Sequence, residues 1–217
     1  MTTTPRALPV PRTLPVEPPP PAHPWRDLLQ RWSDEWLDPA LHEQERPEPF
    51  PPGVRAARWL GAPGATEAEI SALEDRLGAE LPPSYRQFLR TTNGWLNTTP
   101  EIHRLLPARE VGRLRDLDPG LIEPWTENAD AFQVPDEEYY VYGDEQHSHA
   151  LRPEYLPDTL KISHTPDGDV YLLNPHVVTP SGEWEAWYFA HWLPGAVRHR
   201  SFWDLMNDEY ESFTHSG

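Results

Sequence analysis

Ten histidines and thirty-five Asp and Glu residues are the groups in this chain that could do chemistry, and their spacing decides what they could do. His147-Ser148-His149 has the i, i+2 spacing that puts two imidazoles on one face of a strand, with His164, His176, His191 and His199 downstream. A zinc centre needs three or four converging ligands, and no His-Glu-x-x-His or related pattern gathers them. Asp167-Gly168-Asp169 has calcium-ligand types, but the twelve-residue ligand loop is missing and a hairpin turn accounts for the stretch. Glu137-Glu138 and Asp208-Glu209 are paired carboxylates of the kind glycosidases use, yet that chemistry rests on a separation in space that adjacency does not set. There is no Gly-x-Ser-x-Gly elbow, phosphate-cradling loop or dinucleotide fingerprint. The absence of cysteine removes disulfides, thiolate catalysis and Cys-based zinc sites together. No catalytic residue, metal or cofactor is expected. A hydrolase using the histidine-rich segment is the contrasting reading, and it predicts bound metal.

The placement of the acids is more informative than their number. The net charge is −17, and Lys161 is the only lysine. Such a surface repels nucleic acid and anionic lipid and steers cationic partners inward, although acidity alone also serves solubility. Between Asp116 and Leu151 stand ten acids and no Lys or Arg. Trp125, Phe132, Tyr139, Tyr140 and Tyr142 are interleaved with them, as when an acidic rim surrounds anchoring rings. The expected partner-binding set is Asp136, Glu137, Glu138, Tyr139, Tyr142, Asp144 and Glu145, with Trp95 after the Asn93-Gly94 turn. The competing reading is a solvated acidic loop whose alternate tyrosines point into the core. Trp184, Trp187, Trp192 and Trp203 crowd the C-terminal part, where one or two could line a groove with Trp95 while the rest pack inside.

The elements that must position these groups begin with residues 66–94. Thr66 and Glu69 have capping-box spacing, and Ile70, Leu73 and Leu77 share one helical face. Gly78 suits a left-handed C-terminal cap. Pro82-Pro83 can open a second helix with Tyr85, Phe88 and Leu89 inward, and Asn93-Gly94 stops it. Upstream, Trp25, Leu28, Leu29, Trp32 and Trp36 form an apolar stripe expected to pack across its own domain. Downstream, Tyr139–Tyr142, Leu160–Ser163, Val170–Leu173 and Trp184–Phe189 have strand composition. Thr165-Pro166-Asp167-Gly168-Asp169 should join the second and third of these as an antiparallel hairpin. In WEAWYF, Trp184, Ala186 and Tyr188 should face one side, and Trp187 and Phe189 the other. A last helix is expected from His199 or Ser201, with Phe202, Leu205, Met206 and Tyr210 inward.

These features predict an α+β fold, a single domain with an antiparallel or mixed β-sheet packed against N-terminal and C-terminal helices. The expected organisation is a disordered proline-rich tail (1–24), a Trp-rich amphipathic helix (25–37), a proline-rich linker (38–53) and an α+β domain (54–215). No run of apolar residues is long enough to span a membrane, and the N-terminus lacks a secretory signal, so a cytoplasmic setting is expected.

The order Thr-x-x-Glu-Ile-x-x-Leu-Glu-x-x-Leu-Gly, then Leu-Pro-Pro-x-Tyr-Arg-x-Phe-Leu, then Asn-Gly resembles the SUKH superfamily. This is the Smi/Knr group of cell-wall-synthesis regulators and bacterial toxin-immunity proteins. The resemblance continues through Tyr142-Gly143, Ile162-Ser163, Asp167-Gly168-Asp169, Leu173-Asn174-Pro175 and Ser201-Phe202-Trp203, over residues 59–213. It implies an α+β domain that binds proteins and shares no catalytic residues. An immunity protein that neutralises a basic toxin domain, for example a nuclease, is the first expectation. A regulatory scaffold engaging several partners through the proline-rich tail is the second.

Overall fold

In the computed structural model, residues 22–38, 50–51, 53–126, 134–164 and 168–215 are described. Nearly all of the expected tail and most of the expected linker lie outside them, as do Glu127, Asp130, Phe132 and Thr165-Pro166-Asp167. The stripe of three tryptophans forms α1 (Trp25–Leu37), followed by a single turn, α2 (Val54–Ala57). Thr66 caps α3 (Glu67–Leu77): its hydroxyl accepts from the Glu69 amide while the Glu69 carboxylate accepts from the Thr66 amide at 2.8 Å. Gly78 ends the helix at φ +67°, a conformation that costs a residue with a Cβ. Pro83 opens α4 (Pro83–Thr91), and Glu67 bridges the two helices through Arg86 and Arg90.

The capping residue of α4 is Pro82, which has no side-chain acceptor to offer. Glu183, distant in sequence, supplies one: its buried carboxylate accepts from the Ser84 amide at 2.9 Å and from the Ser84 hydroxyl at 2.6 Å. This satisfies a first-turn donor that no residue of the helix can reach.

Two antiparallel sheets follow. Strands β1 (Trp95–Leu96), β2 (Arg104–Leu105) and β5 (Ser163–His164) make the smaller one. The larger runs in the order β3 (Gly112–Arg113), β4 (Leu160–Lys161), β6 (Val170–Val178), β7 (Trp184–Phe189), β8 (Ala196–His199). The expected Leu160–Ser163 strand divides at Ile162, so one extended segment serves both sheets. β4 pairs with β6 as the hairpin reading requires, Leu160 opposite Leu173. The short helical turns α5 (Leu114–Leu117), α6 (Glu123–Thr126) and α7 (Asp136–Tyr139) lie in the connection between β3 and β4. Ser201 precedes α8 (Phe202–His215), its hydroxyl accepting from the Asp204 amide.

The alternation in β7 divides the core. Trp184 and Ala186 belong to the main cluster with α1, α3, α4 and α8, while Trp187 and Phe189 belong to a second cluster with Leu114, Ile122, Leu151 and Leu156. Helices thus cover one face of the large sheet, and the irregular acidic connection covers the other. On the helical face, α1 is clasped by α4 and α8. Trp25 meets Phe88 at 5.3 Å and Phe202 at 5.4 Å, and Trp36 meets Phe213 at 4.8 Å. All three tryptophans of α1 are buried.

Two outcomes follow. Trp32→Ala should destabilise the protein by about 3–5 kcal/mol in urea unfolding, as for other large-to-small core changes. The second concerns Glu209 of α8, which accepts from the Tyr171 hydroxyl. Burial pushes Glu209 up to about 7 from an ordinary 4.5, with the charges of Asp208 and Glu101 adding to it. A raised carboxyl value means that the native state favours the protonated form. Its contribution is therefore complete below about pH 4.5 and is lost as pH rises through about 7. Glu209→Gln should remove that part of the pH dependence, measured as unfolding free energy across the interval against the unaltered chain.

Candidate functional site: an acidic surface at the sheet edge

Pro135 starts α7, and Asp136, Glu137 and Glu138 fill its first turn, where negative charge is favoured. The expected Tyr139–Tyr142 strand is therefore corrected. The chain makes a helical turn through Tyr139, and after Tyr142 a second short turn spans Gly143–Glu145. Helical rather than alternating geometry decides which tyrosines face inward.

What fixes this segment is a buried ion pair on the sheet. Glu185 of β7 and Arg198 of β8 approach to 3.6 Å, with both side chains fully removed from solvent. Glu185 Oε2 accepts from Tyr139 Oη at 2.7 Å, Asn174 Nδ2 at 2.9 Å and Trp187 Nε1 at 2.7 Å. Its Oε1 accepts from Tyr142 Oη at 2.8 Å. Arg198 donates to the Tyr139 carbonyl and, at 3.2 Å, to the Val141 carbonyl. Its guanidinium lies 4.4 Å from the Tyr139 ring centroid. Burial, followed by the Glu185 charge, holds the Tyr139 and Tyr142 hydroxyls well above the ordinary phenol range. Both therefore remain donors.

The same segment also closes a sheet edge. β8 is an edge strand, and edge strands present unpaired amides. The Arg198 amide donates to the Gln146 side-chain carbonyl at 2.7 Å and the Ala196 amide to the Ser148 carbonyl at 2.8 Å. Gly195 permits the approach, because a Cβ there would stand 2.1 Å from the Ser148 oxygen.

With its inner side committed to the sheet, the segment turns its acids outward. Asp136, Glu137, Asp144 and Glu145 are exposed, while Glu138 and Tyr142 are half-buried. Arg152 pairs with Asp136 and His149 stands 2.9 Å from Glu138. Among the described residues no ion pair is made by Glu137, Asp144 or Glu145. Tyr140 is exposed between the two groups of acids.

Two expected contact residues are corrected. Tyr139 is fully buried and serves the ion pair. Trp95 is 1% exposed, because the Asn-Gly turn leads straight into β1 and directs its indole inward, edge-on to Trp59 at 5.1 Å. Neither can touch a partner directly. The histidines are dispersed among separate carboxylates: His176 by Asp158, His191 by Asp169, His199 by Asp208. Among the described residues no group of three or more His, Asp or Glu is placed to hold a metal ion. No described helix is long and apolar enough to cross a membrane.

Glu185 and Arg198 were missed by sequence reasoning, although a signal existed. Strand alternation puts Glu185 on the side of Trp187 and Phe189, and a carboxylate on an inward face needs a cation or several donors. Glu185→Ala should therefore cost about 3–5 kcal/mol by leaving Arg198 buried without its counter-charge. A joint Glu185→Met and Arg198→Met change should cost much less than the sum of the two single changes, read by a double-mutant cycle in urea.

No curated protein matches the chain. A family model described as the SMI1 / KNR4 family (SUKH-1) matches residues 64–215, from the loop before α3 to the end of α8. That span contains the helix pair, both sheets, the buried ion pair and the acidic segment, and the chain belongs to the SMI1 / KNR4 (SUKH-1) family.

Proposed function

We propose that this chain is a non-catalytic protein-binding domain of the immunity type, which binds a cognate basic toxin domain and neutralises it by occupation. The observation that carries this reading is the outward row of Asp136, Glu137, Asp144 and Glu145 on a backbone anchored from beneath by Glu185 and Arg198. Exposed charge on a fixed frame loses little conformational freedom when a partner arrives, and it accelerates encounter with a surface of opposite sign. Membership of a family whose resemblance implies immunity and regulatory proteins supports it, as does the net charge of −17. A basic nuclease is the toxin class that this field suits best, since an acidic surface can stand in for the phosphate backbone that such an enzyme binds. The setting is cytoplasmic in this reading, and the protein uses neither metal nor cofactor.

The test is capture of the tagged chain's partner from its own cells with a salt-step elution, followed by assay of the released protein for nuclease activity with and without the chain. One basic, near-stoichiometric protein whose activity the chain suppresses is expected. The combined change Asp136→Asn, Glu137→Gln, Asp144→Asn and Glu145→Gln should weaken its binding about tenfold or more at low salt, with less effect at high salt. Unchanged low-salt affinity would sink the assignment of this surface. Several weak partners, lost when residues 1–24 are removed, would favour a regulatory scaffold instead.

A further inference from the structure

Of the ten tryptophans, Trp192 alone is exposed, at 60%. Its ring is nevertheless fixed in place. Its Nε1 donates to Asp169 Oδ2 at 3.2 Å, and the same oxygen accepts from Tyr188 Oη at 3.0 Å. Asp169 Oδ1 accepts from the His191 amide at 3.3 Å and stands 2.9 Å from His191 Nδ1. Asp169 itself is buried. The indole meets Tyr188 edge-on at 6.2 Å, and Tyr188 meets Tyr171 in the same manner at 5.8 Å.

This arrangement has an electronic consequence. A carboxylate accepting from the indole N–H pushes electron density into the ring, deepening the negative potential of its open face. No Lys or Arg among the described residues pairs with Asp169; its only partner in an ion-pair geometry is His191. The loop carrying Trp192 also joins the acidic segment, through Gly195 and Ala196 against Ser148. A rigid, electron-rich ring face held by a buried carboxylate favours a cation. A planar, weakly hydrated guanidinium stacks on such a face better than an ammonium does.

We propose that Trp192, held by Asp169, is the seat for an arginine side chain of a basic protein partner. The proposal deepens the function proposed above and rests on it for the partner, but the seat can be tested without that partner. The full chain is labelled with 5-fluorotryptophan, the Trp192 fluorine resonance is assigned from Trp192→Phe, and a hexa-arginine peptide is titrated in. The Trp192 resonance should move saturably and lose the response at high salt, while those of Trp32 and Trp187 stay in place. Hexalysine should bind more weakly. Trp192→Ala, a surface change, should weaken hexa-arginine about fivefold, and Asp169→Asn should weaken it while the ring remains. A resonance that stays still, or that moves equally with a neutral Gly-Ser peptide, overturns the seat. If a basic protein is captured but Trp192→Ala binds it undiminished, the seat fails and the immunity reading stands. If hexa-arginine seats on Trp192 but no basic protein is captured, only the immunity reading fails.

Discussion

Two opposite charges buried on the face of the large sheet constrain the path of everything laid over that face. Glu185 and Arg198 are wholly removed from water, and such a pair gains little net stability once its desolvation is counted. Its effect is positional. A buried carboxylate needs donors, and two of them are phenols from the acidic segment. A buried guanidinium needs acceptors, and here they are main-chain carbonyls of the same segment. Backbone acceptors fix a chain's path more tightly than side-chain acceptors, because no rotamer change can compensate for their displacement. The segment that turns Asp136, Glu137, Asp144 and Glu145 outward is thus tied to the sheet from within.

The carboxylates divide by the donors around them. Glu183 receives the first-turn donors of α4, Glu185 receives Tyr, Asn and Trp, and Asp169 receives Tyr, Trp and the His191 amide. Each buried acid gathers groups that would otherwise be unsatisfied, as burial of a charge demands. Some exposed acids also serve the fold, Glu67 and Glu69 at the helix pair and Asp136 at Arg152, whereas Glu137, Asp144 and Glu145 make no ion pair among the described residues. The high net charge is therefore not uniform: part of it builds the fold, and the remainder is free to act on what approaches. α1 adds a further distinction. It precedes the residues matched by the family model, yet its tryptophans lie in the main core with α4 and α8.

Local signals made the helices legible. The Thr66–Glu69 capping box, Gly78 at positive φ and Pro83 in the first turn all act within a few residues, so the sequence displays them directly. The two-sided alternation of WEAWYF was legible for the same reason. The acidic segment was not, because Tyr139–Tyr142 has strand composition and the groups that hold it, Glu185 and Arg198, are distant in sequence. Strand β8 was also missed: four residues, Ala-Val-Arg-His, show little alternation, and their pairing with β7 is set by the sheet. Trp95 was misplaced because an aromatic residue after a turn reads equally well as an anchor or as core. Trp59, which settles the matter, is far away in sequence. Asn174 and Asp169 lay within motifs that carried the family resemblance, but nothing local indicated which donors and acceptors they would meet.

Affinity at a charged surface depends on what need not be ordered at the moment of binding. Solvent-exposed charge pairs contribute modestly, about 0–1 kcal/mol each, and less as salt rises. If the acidic loop had to be ordered by its partner, at roughly 1–2 kcal/mol per residue for the backbone, the gain from several pairs would vanish. Here residues 139–148 are held before any partner arrives, by the ion pair and by the edge amides of β8. The same reasoning applies to Trp192, whose indole is held by Asp169 rather than by the group it would meet. In the function proposed above, acids held on one loop and an aromatic ring held on another would meet a cationic surface with little of the interaction energy spent on order.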